Sequence, residues 1–262
     1  MNRINQLFQN NPRNLLSIYF CAGCPSLEGT TDVIRTLEAN GVDMIEIGIP
    51  FSDPMADGVV IQAAATQALR NGMSVRKLFE QLHDIRRYVH IPLILMGYLN
   101  PIMHYGFEAF CQQCVACGID GIIIPDLPFR DYEEHYKDIA LKYDLRIIML
   151  ITPETSEERV RQIDAHTDGF IYMVSSAATT GAQKDFDAQK QAYFRKTEDM
   201  QLRNPRMVGF GISNKPTFDA ACAHASGAII GSRFVTLLNE AGGDAGKAIR
   251  RLKADIGLLK EE

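Results

Sequence analysis

Short apolar runs alternate with longer amphipathic segments along the whole chain. Eight such runs have the length and composition of strands, and most are apolar on both faces, as in a buried parallel sheet. They are LLSIYF at 15–20, DMIEIGI at 43–49, PLILM at 92–96, DGIIIP at 120–125, LRIIMLI at 145–151, GFIYMV at 169–174, RMVGFG at 206–211 and GAIIG at 227–231. Eight strand–helix units that close on themselves predict an α/β fold, the (β/α)8 TIM barrel. An open doubly wound sheet would more often stop at about five or six strands.

Helical patterns fill the segments between these runs. A short N-terminal helix is predicted over about 4–9. The segment TTDVIRTLEANG ends on Gly41, as helices often do, and SEERVRQIDAHTDG begins with Ser156 followed by two glutamates. No linker, low-complexity tract or charge block interrupts the pattern. We therefore predict a single barrel domain over 1–262, a length close to the ~250 residues of such barrels.

Glu46 is a carboxylate in the middle of the second apolar run. In a strand, Met44, Glu46 and Gly48 point to one face while Ile45, Ile47 and Ile49 point to the other. A carboxylate buried there costs several kcal/mol unless it is paired or holds its proton. One interpretation is a structural glutamate held by an arginine or a backbone donor. The other is a general acid/base.

Charge and composition narrow the class of partner. The net charge is −5 and the pI is about 5.7, with no basic run. This argues against nucleic acid or an anionic membrane as the main partner. No apolar run reaches the ~18 residues of a membrane span, and the start MNRINQLFQNN lacks a signal-peptide core. We therefore expect a cytoplasmic protein.

The six cysteines and six histidines form no convincing metal site. Cys111, Cys114 and Cys117 recur every three residues, which favours one face of a helix packed on the core. Cys21 and Cys24 have redox spacing but lack a thioredoxin-like context, so a free pair in a loop is the better interpretation. The histidines are scattered. We predict no metal.

Chemistry in such a barrel is expected in the loops that follow the strands. The loop FSDPMADG after the second run contains Asp57, which is either a functional carboxylate or an ordinary turn residue. The loop SSAATTGAQKDFDAQ after the sixth run is long and rich in small residues, which is typical of a lid.

Two glycine loops follow the last two runs, GFGIS at 209–213 and GSR at 231–233. Glycine permits close approach of the backbone, and the N–H groups at a helix N-terminus bind anions. Barrels usually place a phosphate at these two strands. Either loop alone is equally well explained as a helix cap, but the pair predicts a phosphorylated small molecule as ligand.

Several motifs in order along the chain resemble the tryptophan synthase α subunit family. They are IEIGIPFSDPMADGVVIQ, LMGYLNP, IIIPDLP, TTG, GFGIS and IIGS. The resemblance implies a lyase that cleaves indole-3-glycerol phosphate to indole and glyceraldehyde 3-phosphate in tryptophan biosynthesis. It also implies no cofactor in this chain. The implied partner is a β subunit that carries pyridoxal phosphate, receives the indole and completes an α2β2 heterotetramer.

The resemblance also assigns roles to individual residues. Glu46 would move the protons, and Asp57 would accept the indole N–H and stabilise the positive charge that develops on the ring. The ring would lie among apolar or aromatic residues, each also a plausible core residue: Phe20, Ile61, Leu95, Ile123, Ile151 and Tyr172. Thr180 would close toward Asp57. The phosphate would rest on Gly181, Gly211, Gly231 and Ser232, with Phe210 beside it.

Departures from the family pattern keep alternatives open. The sixth loop has Ser176 where the family usually has arginine and Ala178 where it usually has glycine, so this lid lacks a fixed positive charge and a flexible joint. Cys21 and Cys24 also depart from the usual residues. One alternative is a stand-alone lyase that releases indole, and another is a ligand-sensing subunit without catalysis. A phosphosugar isomerase would explain the glycine loops but not the two carboxylates.

Overall fold

The computed structural model of the chain describes residues 1–10, 12–175 and 188–259. Its strands are β1 Leu15–Cys21, β2 Met44–Gly48, β3 Leu93–Met96, β4 Gly121–Ile123, β5 Arg146–Ile148, β6 Leu150–Ile151, β7 Ile171–Val174, β8 Arg206–Gly209 and β9 Gly227–Ile230. Its helices are α1 Arg3–Phe8, α2 Thr30–Ala39, α3 Val59–Arg70, α4 Val75–Leu82, α5 Leu99–Tyr105, α6 Phe107–Ala116, α7 Phe129–Asp131, α8 Lys137–Lys142, α9 Glu157–His166, α10 Ala188–Asp199, α11 Lys215–His224, α12 Ser232–Glu240 and α13 Ala245–Asp255. Short 3-10 turns span Leu27–Gly29 and Ile85–Arg87, and a π-helix spans Tyr132–Tyr136.

The strands form one parallel sheet in the order β5-β4-β3-β2-β1-β9-β8-β7-β6. Its two outermost strands, β5 and β6, are consecutive in the chain and are separated only by Met149, so the chain itself closes the sheet. At Met149 itself, the backbone N–H of Tyr172 on β7 donates to the carbonyl at 3.0 Å, which ties this joining residue to the sheet. The predicted (β/α)8 barrel is confirmed, with the fifth predicted strand present as two short ones.

Helix ends follow the local signals in the sequence. Ser156 caps α9, its hydroxyl accepting from the N–H of Arg159 at 3.2 Å. Gly41 follows α2 with φ of +69°, a conformation that glycine adopts without a steric penalty. Helix α1 begins one residue earlier than predicted because the Asn2 side chain caps it by accepting from the N–H of Ile4 at 2.9 Å.

Alternating side chains of the strands belong to two different cores. Along β2, Met44 packs inside the barrel, whereas Ile45 and Ile47 pack in the layer between the sheet and the helices, where Ile49 follows them. Glu46 shares the face of Met44, as the alternation predicts, and it is fully buried. Its carboxyl therefore lies in the interior of the barrel.

Helix α1 closes the N-terminal end of the barrel. Its Ile4 and Phe8 belong to the inner core, and the Phe8 ring lies 5.8 Å from that of Phe170. This leaves the C-terminal ends of the strands as the end at which a ligand can enter.

A buried ion pair network lies at the same closed end. Asp120, just before β4, accepts from Arg3 through Oδ1 at 2.9 Å. Its Oδ2 accepts from Arg86 at 2.5 Å and from the backbone N–H of Leu93 at 2.9 Å. Both oxygens of this buried carboxylate are thus paired.

Candidate active site

A cavity opens at the C-terminal ends of the strands, opposite α1. Its empty volume, including the part open to solvent, is about 480 Å³. Apolar and aromatic side chains, one carboxylate and the glycine loops form its lining: Tyr19, Asp57, Ile61, Met96, Tyr172, Phe210, Gly211, Ile212, Ile229, Gly231, Ser232 and Arg233. This lining suits a flat apolar ring with an anionic group at one end.

Glu46 lies beneath the cavity rather than in its lining. Its register partner on β1 is Tyr19, which does line the cavity. The hydroxyl of Ser17 donates to Oε1 of Glu46 at 3.2 Å, while Oε2 has no hydrogen-bond partner among the described residues. Burial raises the pKa of Glu46 to about 8, and the Ser17 hydrogen bond opposes that rise. Glu46 therefore largely keeps its proton at neutral pH.

Asp57 reaches the cavity from the loop after β2. The Tyr98 hydroxyl donates to its Oδ2 at 3.1 Å and accepts from the backbone N–H of Ala56 at 3.0 Å. Burial raises the pKa of Asp57 to about 6, and the hydrogen bond from Tyr98 opposes that rise. Asp57 is therefore mostly ionised at neutral pH, when Glu46 is mostly protonated.

Tyr19 and Tyr172 line the cavity and also lie close enough to Glu46 and Asp57 to interact with their charges. A Cβ on Gly48 would overlap the Tyr19 hydroxyl, and a Cβ on Gly209 would overlap that of Tyr172, so each ring needs a glycine on the next strand. Burial raises the pKa of both phenols, and the charges of Asp57 and Glu46 raise it further. Both phenols stay neutral and keep a proton to donate.

The glycine loops form the side of the cavity suited to an anion. Gly231 is the N-cap residue of α12, whose first-turn N–H groups lack partners within the helix. Phe210 and Gly211 adopt φ of +68° and +77°, and the Ser175 hydroxyl donates to the Phe210 carbonyl at 2.7 Å. Positive φ is rare for a bulky residue and often marks a functional turn. The dipole of α12 and its free N–H groups favour a phosphate here.

Comparison with known proteins identifies the family. A model of the family described as tryptophan synthase alpha chain matches residues 5–262. The chain is 78% identical to the tryptophan synthase alpha chain of Bacteroides fragilis over 262 residues, covering 100% of this chain and 99% of that one. The chain belongs to the tryptophan synthase alpha chain family.

Solved structures of this family share the fold. The alpha subunit from Legionella pneumophila strain Paris superposes with a TM-score of 0.87 at 34% identity, over 99% of this chain and 100% of that one. A chain of the tryptophan synthase complex from Pyrococcus furiosus superposes with a TM-score of 0.84 at 30% identity, over 95% and 99% of the two chains. The family and the enzyme class implied by the motifs are confirmed, as is the barrel predicted from the apolar runs.

Most residues that the tryptophan synthase resemblance assigned to the site lie together. Asp57 lines the cavity, and Glu46 lies directly beneath it. The predicted binding residues that also line it are Ile61, Tyr172, Phe210, Gly211, Gly231 and Ser232. Thr180, Gly181 and the two departures Ser176 and Ala178 lie outside the described residues, so their roles stay predictions.

Four of the six residues assigned to the apolar pocket do not line the cavity, so their contacts with a ring stay predictions. Phe20, Leu95 and Ile151 point outward into the layer between the sheet and the helices. Ile123 faces the barrel interior but does not line the cavity. The side chains that line it are instead Tyr19 and Met96, each one position away from a predicted residue. Because successive strand residues face opposite ways, neighbouring positions on one strand belong to different cores.

Sequence reasoning missed several site residues besides Tyr19 and Met96. Ile212, Ile229 and Arg233 line the cavity, and the Arg233 guanidinium pairs with Asp255 at 2.5 Å. Ser17 and Tyr98 act on the two carboxylates. The available signal for Ser17 was its polarity in an apolar strand, on the same face as Tyr19. Tyr98 lies within the motif LMGYLNP but only the fold brings it to Asp57.

The cysteines lie in the core. Cys111, Cys114 and Cys117 are buried along α6 and just after it, as predicted for a packed helix face. Cys21 and Cys24 are buried free thiols at and after the end of β1. Within the described residues, no group of three or more potential ligand side chains could hold a metal ion. No helix in the same part of the chain is long and apolar enough to cross a membrane.

Proposed function

We propose that Glu46 and Asp57 are the catalytic pair of a tryptophan synthase α reaction. In this reaction the chain cleaves indole-3-glycerol phosphate into indole and glyceraldehyde 3-phosphate. The observation that supports the pair best is the separation of their pKa values, about 8 for Glu46 and about 6 for Asp57. Two carboxyls whose environments separate their pKa values in this way are suited to different roles.

Glu46 acts as the acid and then as the base. Its protonated carboxyl donates a proton to C3 of the indole ring, and the resulting carboxylate takes the proton from the hydroxyl on the adjacent side-chain carbon. The bond between that carbon and C3 breaks, its electron pair restores the indole ring, and the carbon becomes an aldehyde. Glu46 ends in the protonation state in which it began. A positioned acid/base of this kind contributes about 10²–10⁴ in rate.

Asp57 stabilises the charge that this protonation creates. Adding a proton at C3 puts positive charge on the ring nitrogen, and an ionised carboxylate next to that N–H offsets it in a partly buried site. Tyr98 holds the carboxylate through its hydroxyl at 3.1 Å. The ionised form of Asp57 is therefore the active one.

Substrate binding follows the two sides of the cavity. The indole ring lies among Tyr19, Ile61, Met96 and Tyr172, and the phosphate lies at Gly211, Gly231 and Ser232, where the α12 N-terminus is located. Thr180 and Gly181 are proposed to complete the site from the sixth loop.

We also propose a β subunit as partner, in an α2β2 assembly, with pyridoxal phosphate in that subunit and none in this chain. The complex from Pyrococcus furiosus supports a partner of this kind. Met55, in the loop that carries Asp57, is 91% exposed, and Val59, just after that loop, is 79% exposed. Met103 on α5 is 45% exposed, so the loop after β2 and helix α5 present apolar contacts. Ile102, next to Met103 on α5, is fully buried and adds nothing to this surface. A cytoplasmic location and a single domain over 1–262 stay predictions.

The decisive experiment measures indole release from indole-3-glycerol phosphate by the purified chain, with and without a β subunit. We expect release by the wild type, a higher rate with the partner, and a fall in kcat of about 10² or more for Glu46→Gln. Equal, poor release by both proteins under both conditions would refute catalysis and favour a ligand-sensing subunit. Release unaffected by a β subunit would favour a stand-alone lyase.

The proposed contact surface for the β subunit, formed by Met55, Val59 and Met103, can be tested with two matched variants. Met55→Asp places a charge on the exposed apolar loop near the cavity, whereas Val115→Asp does so on α6 toward the closed end of the barrel, where Val115 is 48% exposed. We expect only Met55→Asp to weaken binding of the β subunit measured by calorimetry. Equal weakening by both variants, or by neither, would argue against this surface.

A further inference from the structure

We propose that Ser17 is a positioning residue for Glu46, holding one carboxyl oxygen so that the other is the one that exchanges protons with the substrate. This inference rests on the proposed function of Glu46 as the acid/base. It adds a residue on β1 that touches no substrate and acts only through the glutamate.

The geometry of the pair supports this role. Ser17 and Glu46 face the barrel interior from adjacent strands, and neither side chain is exposed. The Ser17 hydroxyl donates to Oε1 at 3.2 Å. Oε2 is left without a partner in the described part of the chain, although a buried carboxyl oxygen normally has one. The carboxyl therefore has one held and one available oxygen.

No other side chain among the described residues replaces the Ser17 hydroxyl at Glu46. The inward-facing residues of β3 are Ile94 and Met96, both apolar. The titratable groups that face Glu46 are the phenols of Tyr19 on β1 and Tyr172 on β7, and Asp57 faces the same two phenols. Within the described part of the chain neither phenol donates a hydrogen bond to Glu46, so Ser17 is the group there that stabilises its charge.

The hydroxyl matters most when Glu46 has lost its proton. Giving the proton to C3 leaves a carboxylate in an apolar interior, which is unfavourable without a donor. A hydrogen bond to a charged acceptor is stronger than one to a neutral acceptor, so Ser17 stabilises the carboxylate more than the acid. Without the Ser17 hydroxyl, Glu46 would be a weaker acid. Oε1 would no longer be held in place, so the orientation of Oε2 would no longer be fixed.

The test compares Ser17→Ala with Ser17→Thr, which keeps the hydroxyl on a strand-compatible side chain. Thr167→Val serves as the control, because it removes another buried hydroxyl. Thr167 lies between α9 and β7, and its hydroxyl donates to the carbonyl of Ile163 on α9. Two readouts are used: kcat and KM across pH, and infrared titration of the Glu46 carboxyl, assigned by the loss of its signal in Glu46→Gln.

For Ser17→Ala we expect kcat at neutral pH to fall about tenfold with little change in KM. The alkaline limb of kcat and the infrared titration should both move to higher pH, by about one pH unit. Ser17→Thr should restore both toward wild type, and Thr167→Val should move neither. These shifts are effects that a purely structural serine would not produce.

An alkaline limb and an infrared titration that are unchanged in Ser17→Ala would overturn the proposal, as would a higher kcat. The infrared titration needs no turnover. An inactive wild type would therefore refute the proposed function while the titration still decided whether Ser17 acts on Glu46. If Ser17→Ala does not fold, Ser17→Cys takes its place. Its thiol is a weaker hydrogen-bond donor and should shift the same two readouts in the same direction.

Discussion

The two ends of the barrel each bury a carboxylate, but they differ in how many hydrogen-bond partners that carboxylate has. At the closed end, Asp120 pairs both oxygens with Arg3, Arg86 and the backbone N–H of Leu93. At the open end, Glu46 has one hydrogen bond from Ser17 and an unpartnered Oε2. The structural interpretation left open for Glu46, an arginine or backbone donor, is the arrangement found at Asp120.

This difference separates a structural carboxylate from a chemical one. A buried charge with a full set of partners holds its neighbours in place, and removing it leaves those partners unpaired. A buried carboxyl with half its partners keeps its proton to higher pH and can exchange it. The protein therefore leaves the buried carboxyl of Glu46 incompletely hydrogen-bonded where the reaction needs it. The carboxylate of Asp120, which has no such role, is fully paired.

The largest expected effect is on stability at the closed end. Asp120→Asn leaves two arginines without their shared partner, and we expect the free energy of unfolding to fall by about 3–5 kcal/mol. Activity per folded molecule should not change, since Asp120 is remote from the cavity. Urea unfolding measures the first quantity and active-site-normalised kcat the second.

The control for this loss is Asp144→Asn, since Asp144 is exposed and pairs with Arg146 at 2.8 Å at the same end. A surface pair of this kind is worth about 0–1 kcal/mol. Equal losses for the two variants would mean that burial does not distinguish them, and the comparison of the two ends would fail.

Glu46→Gln should have the opposite effect on stability at high pH. Its pKa is raised from 4.5 in the unfolded chain to about 8, so the folded state binds more protons between these values. Stability of the wild type therefore falls as pH rises from about 4.5 to about 8 and then levels off. Replacing the carboxyl removes this fall. Because a buried amide has its own cost, we expect a net gain on the order of 3 kcal/mol near pH 9 and little change near pH 5.

Denaturant midpoints of wild type and Glu46→Gln at these two pH values measure this difference. A variant that is less stable than the wild type at both would show that Glu46 is structural, like Asp120.

The smallest expected effect concerns Asp57 and its hydrogen bond. The reaction needs ionised Asp57, so activity should fall as pH drops through about 6, and it needs protonated Glu46, so activity should also fall as pH rises through about 8. Tyr98→Phe removes the donor that lowers the pKa of Asp57. The acidic limb should then move to higher pH, with a several-fold loss of kcat at pH 6.

Since the substrate phosphate also titrates near pH 6, Asp57→Asn is the control for this limb. Whatever remains of the acidic limb in that variant belongs to the phosphate. A limb that Tyr98→Phe leaves in place would show that Tyr98 holds the loop without acting on Asp57.

The regular features of the fold could be predicted from local pattern. All eight apolar runs became strands because hydrophobic residues in short runs between turns have few other stable arrangements. Ser156 and Gly41 marked helix ends because caps act within one turn. The face of Glu46 followed from the two-residue period of a strand.

The cavity wall could be predicted only in part. Phe20 and Leu95 were assigned to it and lie in the outer core, while Tyr19 and Met96 line it. Both members of each pair are large and apolar, so composition does not separate them. Which one faces inward depends on the position of the strand in the closed barrel.

The sequence by itself determined the strand–helix alternation, the family motifs and the placement of one carboxylate inside an apolar strand. These follow from interactions between residues close together in the chain. Only the tertiary structure decided that Ser17 reaches Glu46 and Tyr98 reaches Asp57, since these pairs are 29 and 41 residues apart. A pKa depends on burial and on the few groups within hydrogen-bond distance. Those are determined when distant strands pair and the barrel closes.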